Sequence, residues 1–457
     1  MFKIKKLKKF AVIQELKEPL ELKDLTIFMG DNSAGKSYMA MLIHSFIAMT
    51  RGYQDRNFLK AINAKYALSK LLKKLSININ NVLDNELDTL IISFDEDDNN
   101  TLREIINFSN EYLLKKYLTQ ALFEENNIKE IEIELNNINK FLPKTLLIKY
   151  SKEFDTANIE VLIDEKERTV ATFQGIFSQE IILKETINSV LSTLIEKIVK
   201  NTLPINSVYL PASRTGYLQT YKTLANNAIF KNYDIDKQSN NHLSIIIRFF
   251  ISQLNNNTSF TNNEFSEFIE NTIMNGSVDI YKDNSNIEFK LNSGQKIDLN
   301  YLSSTISELI PLVVFLKRGL IKRNGLLVIE EPEAHLSFKN QKLIAKLIAL
   351  FLQNKIKVLI TTHSDFLIYE INNLIMKQSI KNLKDKDSIK NDEIGIDYRQ
   401  VGLYNFILEE NGSVVEKVNI SKYGINNKYI FDNTYALIKE KNELIDLLDT
   451  LDARDKK

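Results

Sequence analysis

Cysteine is absent from the 457-residue sequence, and histidine is scarce. Without cysteine the chain has no disulfide framework, no thiolate nucleophile and no cysteine-ligated zinc. The four histidines are His44, His242, His335 and His363. They are too few and too scattered to suggest a metal cluster. This composition suits a reducing environment, and we expect a cytoplasmic location.

Long hydrophobic runs and an excess of one charge are missing as well. No stretch of about 20 apolar residues occurs, so we expect no membrane-spanning segment. The basic N-terminus, MFKIKKLKKF, alternates apolar and charged residues, which indicates a strand and not a signal peptide. Because 59 basic residues balance 59 acidic residues, the chain lacks the overall positive field of a DNA-wrapping protein. A local basic groove is then the expected means of binding nucleic acid.

Glycine is rare, with 13 residues, yet two glycines stand in one phosphate-binding pattern. In the segment GDNSAGKSYMA, residues 30–40, Gly30, Gly35, Lys36 and Ser37 match G-x-x-x-x-G-K-[ST]. In this pattern backbone N–H groups close around phosphates, the lysine neutralises their charge, and the serine hydroxyl reaches Mg²⁺. The pattern therefore predicts a phosphate cradle.

A strand and a helix are predicted on the two sides of this loop. The preceding segment KDLTIFMG is a short, mostly apolar run that ends at the first loop glycine, as a buried strand would. In the following segment SYMAMLIHSFIAM the apolar residues fall at helical spacing. The free N–H groups and the dipole of such a helix favour an anion in the loop.

Acidic and histidine side chains follow two later strands of the sequence. The apolar run GLLVI ends at Glu330 and Glu331, where one carboxylate could hold Mg²⁺ through water and the second could orient an attacking water. A solvated acidic turn is the alternative for this pair taken alone. A further strand, IKVLITTH, ends at His363, where an imidazole could contact the terminal phosphate or the attacking water.

Together these segments resemble the ATP-binding-cassette (ABC) class of P-loop ATPases. The branch in question includes SMC, RecF and overcoming-lysogenization-defect (OLD) proteins. The resemblance covers residues 1–50 and about 275–370, with GDNSAGKS, LSSTISEL, LLVIEEPEAHL and LITTHSDFL in the family order. The segment EEPEAHL resembles the OLD type more than it resembles a transporter cassette.

The resemblance implies ATP and Mg²⁺ as cofactors, and it implies ATP hydrolysis. It implies that Ser37 and Glu330 serve the metal, that Glu331 is the catalytic carboxylate and that His363 is the switch histidine. The segment LSST, residues 302–305, would be the signature that contacts the nucleotide of a second subunit, which makes the chain at least a dimer. The implied nucleotide-binding residues are Gly30, Asn32, Ser33, Ala34, Gly35, Lys36, Ser37, Tyr38, Ser303 and Ser304. Thr305 stands where the family usually has glycine, which puts this contact in doubt.

The expected fold class is α/β: an ABC-type P-loop ATPase with a mixed sheet core, an antiparallel β meander and an inserted, mostly helical region. The meander is predicted near residues 144–175, and a hairpin with Asn411-Gly412 at its turn is predicted near the C-terminus. Five segments are expected: 1–57 as the N-terminal ATPase core, 58–141 as the helical insertion, 142–300 as the remaining β lobe and middle region, 301–375 as the C-terminal ATPase core, and 376–457 as a hairpin and helix.

Two residues of the middle region allow more than one interpretation. Arg214, in the segment PASRTG, could reach phosphate or nucleic acid, or it could cap the end of a strand. Gln54, in RGYQDR, could be an Mg²⁺-sensing glutamine of the cassette type, although its spacing from the loop is a poor match.

Four functions are compatible with these motifs. The preferred one is a nucleotide-gated sensor or clamp that controls a separate effector, such as a nuclease, in bacterial anti-phage defence. A self-contained OLD nuclease would carry a Toprim domain, and the segment after His363 is too short for one. A transporter cassette is disfavoured by the segment EEPEAHL and by the long insert between the phosphate-binding loop and the signature segment LSST. The main alternative is a DNA-repair or chromosome-maintenance ATPase of the RecF or SMC type.

Overall fold

The computed structural model describes most of the chain, with several gaps. The described residues are 2–48, 56–66, 69–84, 89–121, 130–153, 156–164, 167–174, 178–226, 245–254, 263–281, 287–383, 394–425 and 439–446.

Strands and helices alternate along these residues. The first half of the chain contains β1 (Phe2–Phe10), β2 (Ile13–Leu16), β3 (Leu20–Glu21), β4 (Leu25–Gly30), α1 (Lys36–Ala48), α2 (Arg56–Tyr66), α3 (Lys70–Asp84), β5 (Thr89–Ser93), α4 (Glu96–Ala121), β6 (Glu130–Leu135), β7 (Thr145–Glu153), β8 (Thr156–Ile163), β9 (Glu167–Gln174) and α5 (Gln179–Thr202). The second half contains β10 (Ser207–Leu210), α6 (Arg214–Asn226), α7 (Ile245–Leu254), α8 (Glu264–Ile269), β11 (Gly276–Ile280), β12 (Ile287–Leu291), β13 (Lys296–Ile297), α9 (Ser304–Lys317), β14 (Leu326–Glu330), α10 (Phe338–Gln353), β15 (Lys357–Thr361), α11 (Asp365–Asn382), β16 (Val401–Glu409), β17 (Gly412–Val418), β18 (Ile420–Ser421) and β19 (Gly424–Ile425). Residues 439–446 are helical as well.

A mixed sheet of ten strands forms the centre of the molecule, in the order β10-β14-β15-β4-β16-β17-β2-β1-β3, with β6 also paired to β1. The strands from β10 to β16 run parallel to one another. The nearly continuous apolar runs of β4, β14 and β15 suit strands that are covered on both faces. The carboxyl ends of these three strands therefore lie side by side, and the predicted site residues follow them.

Two apolar clusters cover the two faces of this sheet. Successive residues of β14 alternate between them, with Leu326 and Val328 in one cluster and Leu327 and Ile329 in the other. The first cluster takes apolar residues from α1 to α5, and the second takes them from α6 to α11. The alternation follows from the two-residue period of a strand, and it anchors the sheet between two layers of helices.

The predicted helical insertion and meander are present, but the insertion also contributes to the central sheet. Strands β7, β8 and β9 form the meander, and β5 pairs with β7 to complete a sheet of four strands. The sequence analysis did not predict β6, which lies inside the segment 58–141 and pairs antiparallel with β1. The Lys6 ammonium lies 2.5 Å from the Glu130 carboxylate across this pair, and Lys5 contacts Glu134 at 3.2 Å. These charge pairs stabilise the pairing of β6 with the basic strand β1.

The predicted C-terminal hairpin forms, and it belongs to the central sheet instead of standing apart. Its turn residues are Glu410 and Asn411, and Gly412 begins β17. Strand β16 pairs in parallel with β4, the strand that precedes the glycine loop, and β17 pairs in parallel with β2. The α/β class with a mixed sheet core is therefore confirmed, and the other segment boundaries stay predictions. Among the described residues, no helix combines the length and apolar content needed to cross a bilayer.

Candidate nucleotide site

The loop between β4 and α1 has a backbone that requires its two glycines. Gly30 has φ 120° and Gly35 has φ 96°, values that disfavour residues with a Cβ atom. A Cβ atom on Gly30 would also lie 2.1 Å from the carbonyl oxygen of Phe406 in β16. The loop thus lies directly against the C-terminal hairpin.

Further contacts hold the loop on this hairpin. The N–H of Asp31 donates to the Phe406 carbonyl at 3.0 Å, and the Asp31 carboxylate accepts from the N–H of Leu408 at 2.9 Å. The Ser413 hydroxyl in β17 donates to the carbonyl of Ala34 at 2.6 Å. The hairpin therefore shapes the loop, a role that the sequence analysis did not predict.

Lys36 is buried at the start of α1 with its side chain turned into the loop. Its ammonium donates to the carbonyls of Gly30 and Asp31 at 3.0 and 2.6 Å. Burial lowers the pKa of Lys36 to about 8, while the charges of Glu331, Asp31 and Glu333 act in the opposite direction. An anion in the loop would favour the charged ammonium, so this geometry fits a phosphate.

The remaining predicted loop residues differ in exposure. Asn32, Ser33 and Ser37 are exposed, and Ser33 has a left-handed backbone with φ 60°. Ala34 is buried, and the half-buried Tyr38 ring meets the Phe10 ring edge to face with centroids 6.4 Å apart. Their contacts to a nucleotide stay predictions.

Glu330 ends β14 as a buried carboxylate. Its Oε2 accepts from the N–H of Ala212 at 3.1 Å. Burial, together with the charge and hydrogen bonding of Glu330, raises the pKa of the Tyr209 hydroxyl. The buried Oε1 of Glu330 accepts no hydrogen bond of ordinary geometry, which fits an oxygen that faces a metal-bound water. The roles of Glu330 and Ser37 in holding Mg²⁺ stay predictions.

Glu331 leaves the strand in a backbone conformation that is rare for its residue type. Its φ is 43°, in the left-handed region, and its N–H donates to the carbonyl of Thr361 in β15 at 2.9 Å. Such a conformation costs of order 1–3 kcal/mol and persists where the surrounding structure enforces it. The strain lies at the residue predicted to be the catalytic carboxylate.

His363 is exposed just beyond the end of β15, and Glu333 holds its backbone. Oε1 of Glu333 accepts from the Thr362 hydroxyl at 2.6 Å, from the His363 N–H at 2.9 Å and from the Ser364 N–H at 3.2 Å. Partial burial and the nearby charge of Lys36 lower the pKa of His363, so its imidazole is neutral at pH 7. The sequence analysis did not identify Glu333. Its position two residues after Glu331, as a third carboxylate beside the pair Glu330 and Glu331, was a signal that could have identified it.

The structure supports the strand-end interpretation of Arg214. The side chain is only 3% exposed, at the first residue of α6, and donates to the carbonyls of Pro211 and Glu330 at 3.1 and 2.6 Å. A guanidinium buried in this way is not available to nucleic acid. Gln54 lies outside the described residues.

The signature segment lies at the start of α9. Ser303 and Ser304 are exposed, and the Ser303 hydroxyl caps the helix by accepting from the N–H of Ile306. The Thr305 hydroxyl donates to the carbonyl of His335 at 2.6 Å, in the turn that follows Glu331. The structure therefore brings together Lys36, Glu331 and His363, so that the charge of Glu331 acts on the pKa of the other two residues. It leaves Ser303 and Ser304 exposed.

Comparison with known proteins assigns the family. Residues 6–368, well over half of the chain, match the AAA_15 family model, described as an AAA ATPase domain. The SMC head domain from Thermotoga maritima is similar at 12% identity and TM-score 0.32, over 92% of this chain and 98% of that chain. An SMC head bound to the C-terminal winged-helix domain of ScpA is similar at 14% identity and TM-score 0.35, over 91% and 97%. No curated protein matches the sequence. The chain therefore belongs to the AAA ATPase domain family, which confirms the P-loop ATPase class expected from its motifs.

Proposed function

We propose that the chain binds ATP with Mg²⁺ and hydrolyses it at the carboxyl ends of β4, β14 and β15. The observation that carries this proposal is the convergence of Lys36, Glu331 and His363 at three adjacent parallel strands, where the charge of Glu331 acts on the pKa of Lys36 and of His363. This edge is the place where open α/β sheets collect ligand groups.

Each residue has a defined task in this proposal. The loop N–H groups and Lys36 hold the β- and γ-phosphates, and Ser37 and Glu330 hold the metal ion. When bound, Mg²⁺ supplies positive charge against the phosphate oxygens. Glu331 orients the attacking water and accepts its proton, and the imidazole of His363 hydrogen-bonds the terminal phosphate or that water.

The test replaces the proposed base without removing its shape. Glu331→Gln should lower ATP turnover by a factor of roughly 10²–10⁴ and leave ATP binding intact, because the amide keeps the hydrogen-bonding geometry and loses the base. Lys36→Ala is the matched control for binding, since it should abolish ATP affinity and leave the thermal stability without ATP nearly unchanged. Wild-type turnover in the Glu331→Gln protein would contradict the proposal.

We further propose that ATP gates a sensor or clamp that controls a separate effector, with a nuclease as one candidate, in anti-phage defence. The segment EEPEAHL, which resembles the OLD type, supports this role. The large region inserted between the phosphate-binding loop and the signature segment supports it as well, because its helices and four-stranded sheet offer surface for recognition. Co-purification from the native host tests it. A partner should be retained by Glu331→Gln with ATP and lost by Lys36→Ala, and equal retention by both proteins would argue against nucleotide control.

A further inference from the structure

The segment between β10 and α6, residues 211–215, touches both carboxylate residues of the site. Its Ala212 N–H donates to the Glu330 carboxylate, and its Arg214 guanidinium donates to the backbone carbonyls of Glu330 and Glu331 at 2.6 and 3.2 Å. Strand β10 pairs in parallel with β14, so this segment crosses the end of the strand that carries the two carboxylates.

The same guanidinium is bound to the signature helix α9. Its Nε lies 2.9 Å from Oε2 of Glu308 and donates to the Glu308 backbone carbonyl at 3.2 Å. The other carboxylate oxygen of Glu308 accepts from the Thr215 hydroxyl at 2.7 Å. Arg214 and Glu308 are each no more than 4% exposed, so this ion pair is shielded from water and holds a fixed geometry.

The two sets of contacts converge on a residue whose backbone needs support. Glu331 has a left-handed φ of 43° and is held between the Thr361 carbonyl, which accepts its N–H, and the Arg214 guanidinium, which binds its carbonyl. Removing either contact would release a backbone that sterics disfavour. A planar guanidinium reaches several carbonyls at fixed angles, which a lysine ammonium cannot reproduce.

We propose that Arg214 is a positioning residue that fixes the backbone of Glu331 and links it to the signature helix through Glu308. This inference rests on the proposed ATPase activity. Displacement of Glu331 by about 1 Å is enough to lower turnover up to 10²-fold. The Arg214 hydrogen bonds go to Pro211, Glu308, Glu330 and Glu331 and not to the phosphate-binding loop, so the loop should keep its affinity. Arg214 therefore acts on kcat and leaves nucleotide binding unchanged.

The experiment compares two buried arginines that bracket the same helix. Arg318 caps the C-terminal end of α9, is 6% exposed, and donates to the carbonyl of Gln253, away from the carboxylates. We expect Arg214→Lys to lower kcat about 10- to 100-fold with Kd for a non-hydrolysable ATP analogue within two-fold of wild type. Arg318→Lys is the matched control and should leave both quantities unchanged, whatever it does to the melting temperature.

A combined variant separates positioning from a general loss of stability. If Arg214 acts through Glu331, adding Arg214→Lys to Glu331→Gln should change the residual turnover by less than two-fold, because the base is already gone. Should Arg214→Lys fail to fold, Glu308→Gln removes the ion pair with a smaller change in shape and should give the same fall in kcat.

Three outcomes would overturn the inference: wild-type kcat in folded Arg214→Lys or Glu308→Gln, an equal fall in Arg318→Lys, or a full additional loss in the combined variant. The proposed activity fails separately, if the wild-type protein itself does not hydrolyse ATP.

Discussion

Two basic side chains on helix α1, Lys36 and His44, are buried, and burial lowers the pKa of both. For Lys36 the pKa falls to about 8, so the ammonium is still mostly charged at pH 7, and a phosphate in the loop would raise its pKa again. For His44 the pKa falls to about 4, and its neutral ring bonds the Ser207 hydroxyl through Nδ1 at 2.8 Å. The first group is the one predicted to meet a phosphate, and the second joins α1 to β10.

His44 gives a prediction for the pH dependence of stability. Its folded pKa of about 4 lies below its ordinary value of 6.5, so at pH 5 the unfolded chain binds a proton that the folded chain does not. The free energy of unfolding should therefore fall as the pH decreases from 7 to 5, by about 2 kcal/mol from this group. Urea denaturation at the two pH values measures it.

Two asparagine variants serve as references for this measurement. His44→Asn removes the titrating group and should lose about 2 kcal/mol less than the wild type between pH 7 and 5. His335→Asn changes an exposed histidine and should keep the wild-type dependence. An equal pH dependence in wild type and His44→Asn would show that the buried ring does not control it.

At the scale of elements, the hairpin of β16 and β17 shapes the phosphate loop. Ser413→Ala removes the hydroxyl that donates to the Ala34 carbonyl and leaves that carbonyl without this partner. We expect the free energy of unfolding to fall by about 1–3 kcal/mol and the Kd for ATP to rise several-fold, because the loop loses part of its support. Calorimetric titration with ATP and urea denaturation measure the two effects.

The control for this prediction is a serine outside the contact between hairpin and loop. Ser421→Ala removes an exposed hydroxyl in β18 that accepts from the N–H of Tyr423 at 3.2 Å, outside the contact between hairpin and loop, and should leave the Kd for ATP unchanged. If Ser413→Ala binds ATP as tightly as Ser421→Ala does, the hairpin does not shape the binding loop.

The sequence predicted those elements whose signal is local. The apolar runs of β4, β14 and β15 and the two-residue period of the meander identified their strands correctly, and the motif order placed Lys36, Glu331 and His363 at one edge. The pairing of β6 with β1 and of β16 with β4 joins segments that are far apart in the chain, so no local pattern contains it.

The hydrogen-bond partners of charged side chains were the other feature that the sequence could not give. In the sequence, Arg214 and Glu333 cannot be distinguished from ordinary polar residues. In the fold, Arg214 donates to a backbone carbonyl and Glu333 accepts from a backbone N–H. Their roles depend on partners that are distant in the sequence, such as Glu308 and His363. Hydrogen-bond geometry, and not residue type, distinguishes them from surface charges.

At the scale of the whole molecule, the sheet separates two layers of helices. One layer holds α1 with the inserted helices, and the other holds α9 with its exposed Ser303 and Ser304. Thr305 turns its hydroxyl back to the His335 carbonyl of its own chain, so the residue that departs from the family glycine bonds within the subunit. Ser303 and Ser304 are exposed beside it, and their contact with a nucleotide on a second chain stays a prediction.

We therefore expect ATP to join two chains when hydrolysis is blocked. The Glu331→Gln protein should have the mass of one 52.8 kDa chain without nucleotide and of two chains with ATP and Mg²⁺, by light scattering after gel filtration. Adding Ser304→Arg should prevent the increase, because a long charged side chain would occupy the exposed start of α9. Ser151→Arg, at an exposed position of β7, is the matched control and should still double its mass. If ATP leaves the mass of Glu331→Gln unchanged while its turnover is lost, the prediction of an ATP-dependent dimer is wrong. The proposed hydrolytic site is then unaffected, since Glu331 contacts Thr361 and Arg214 within one chain.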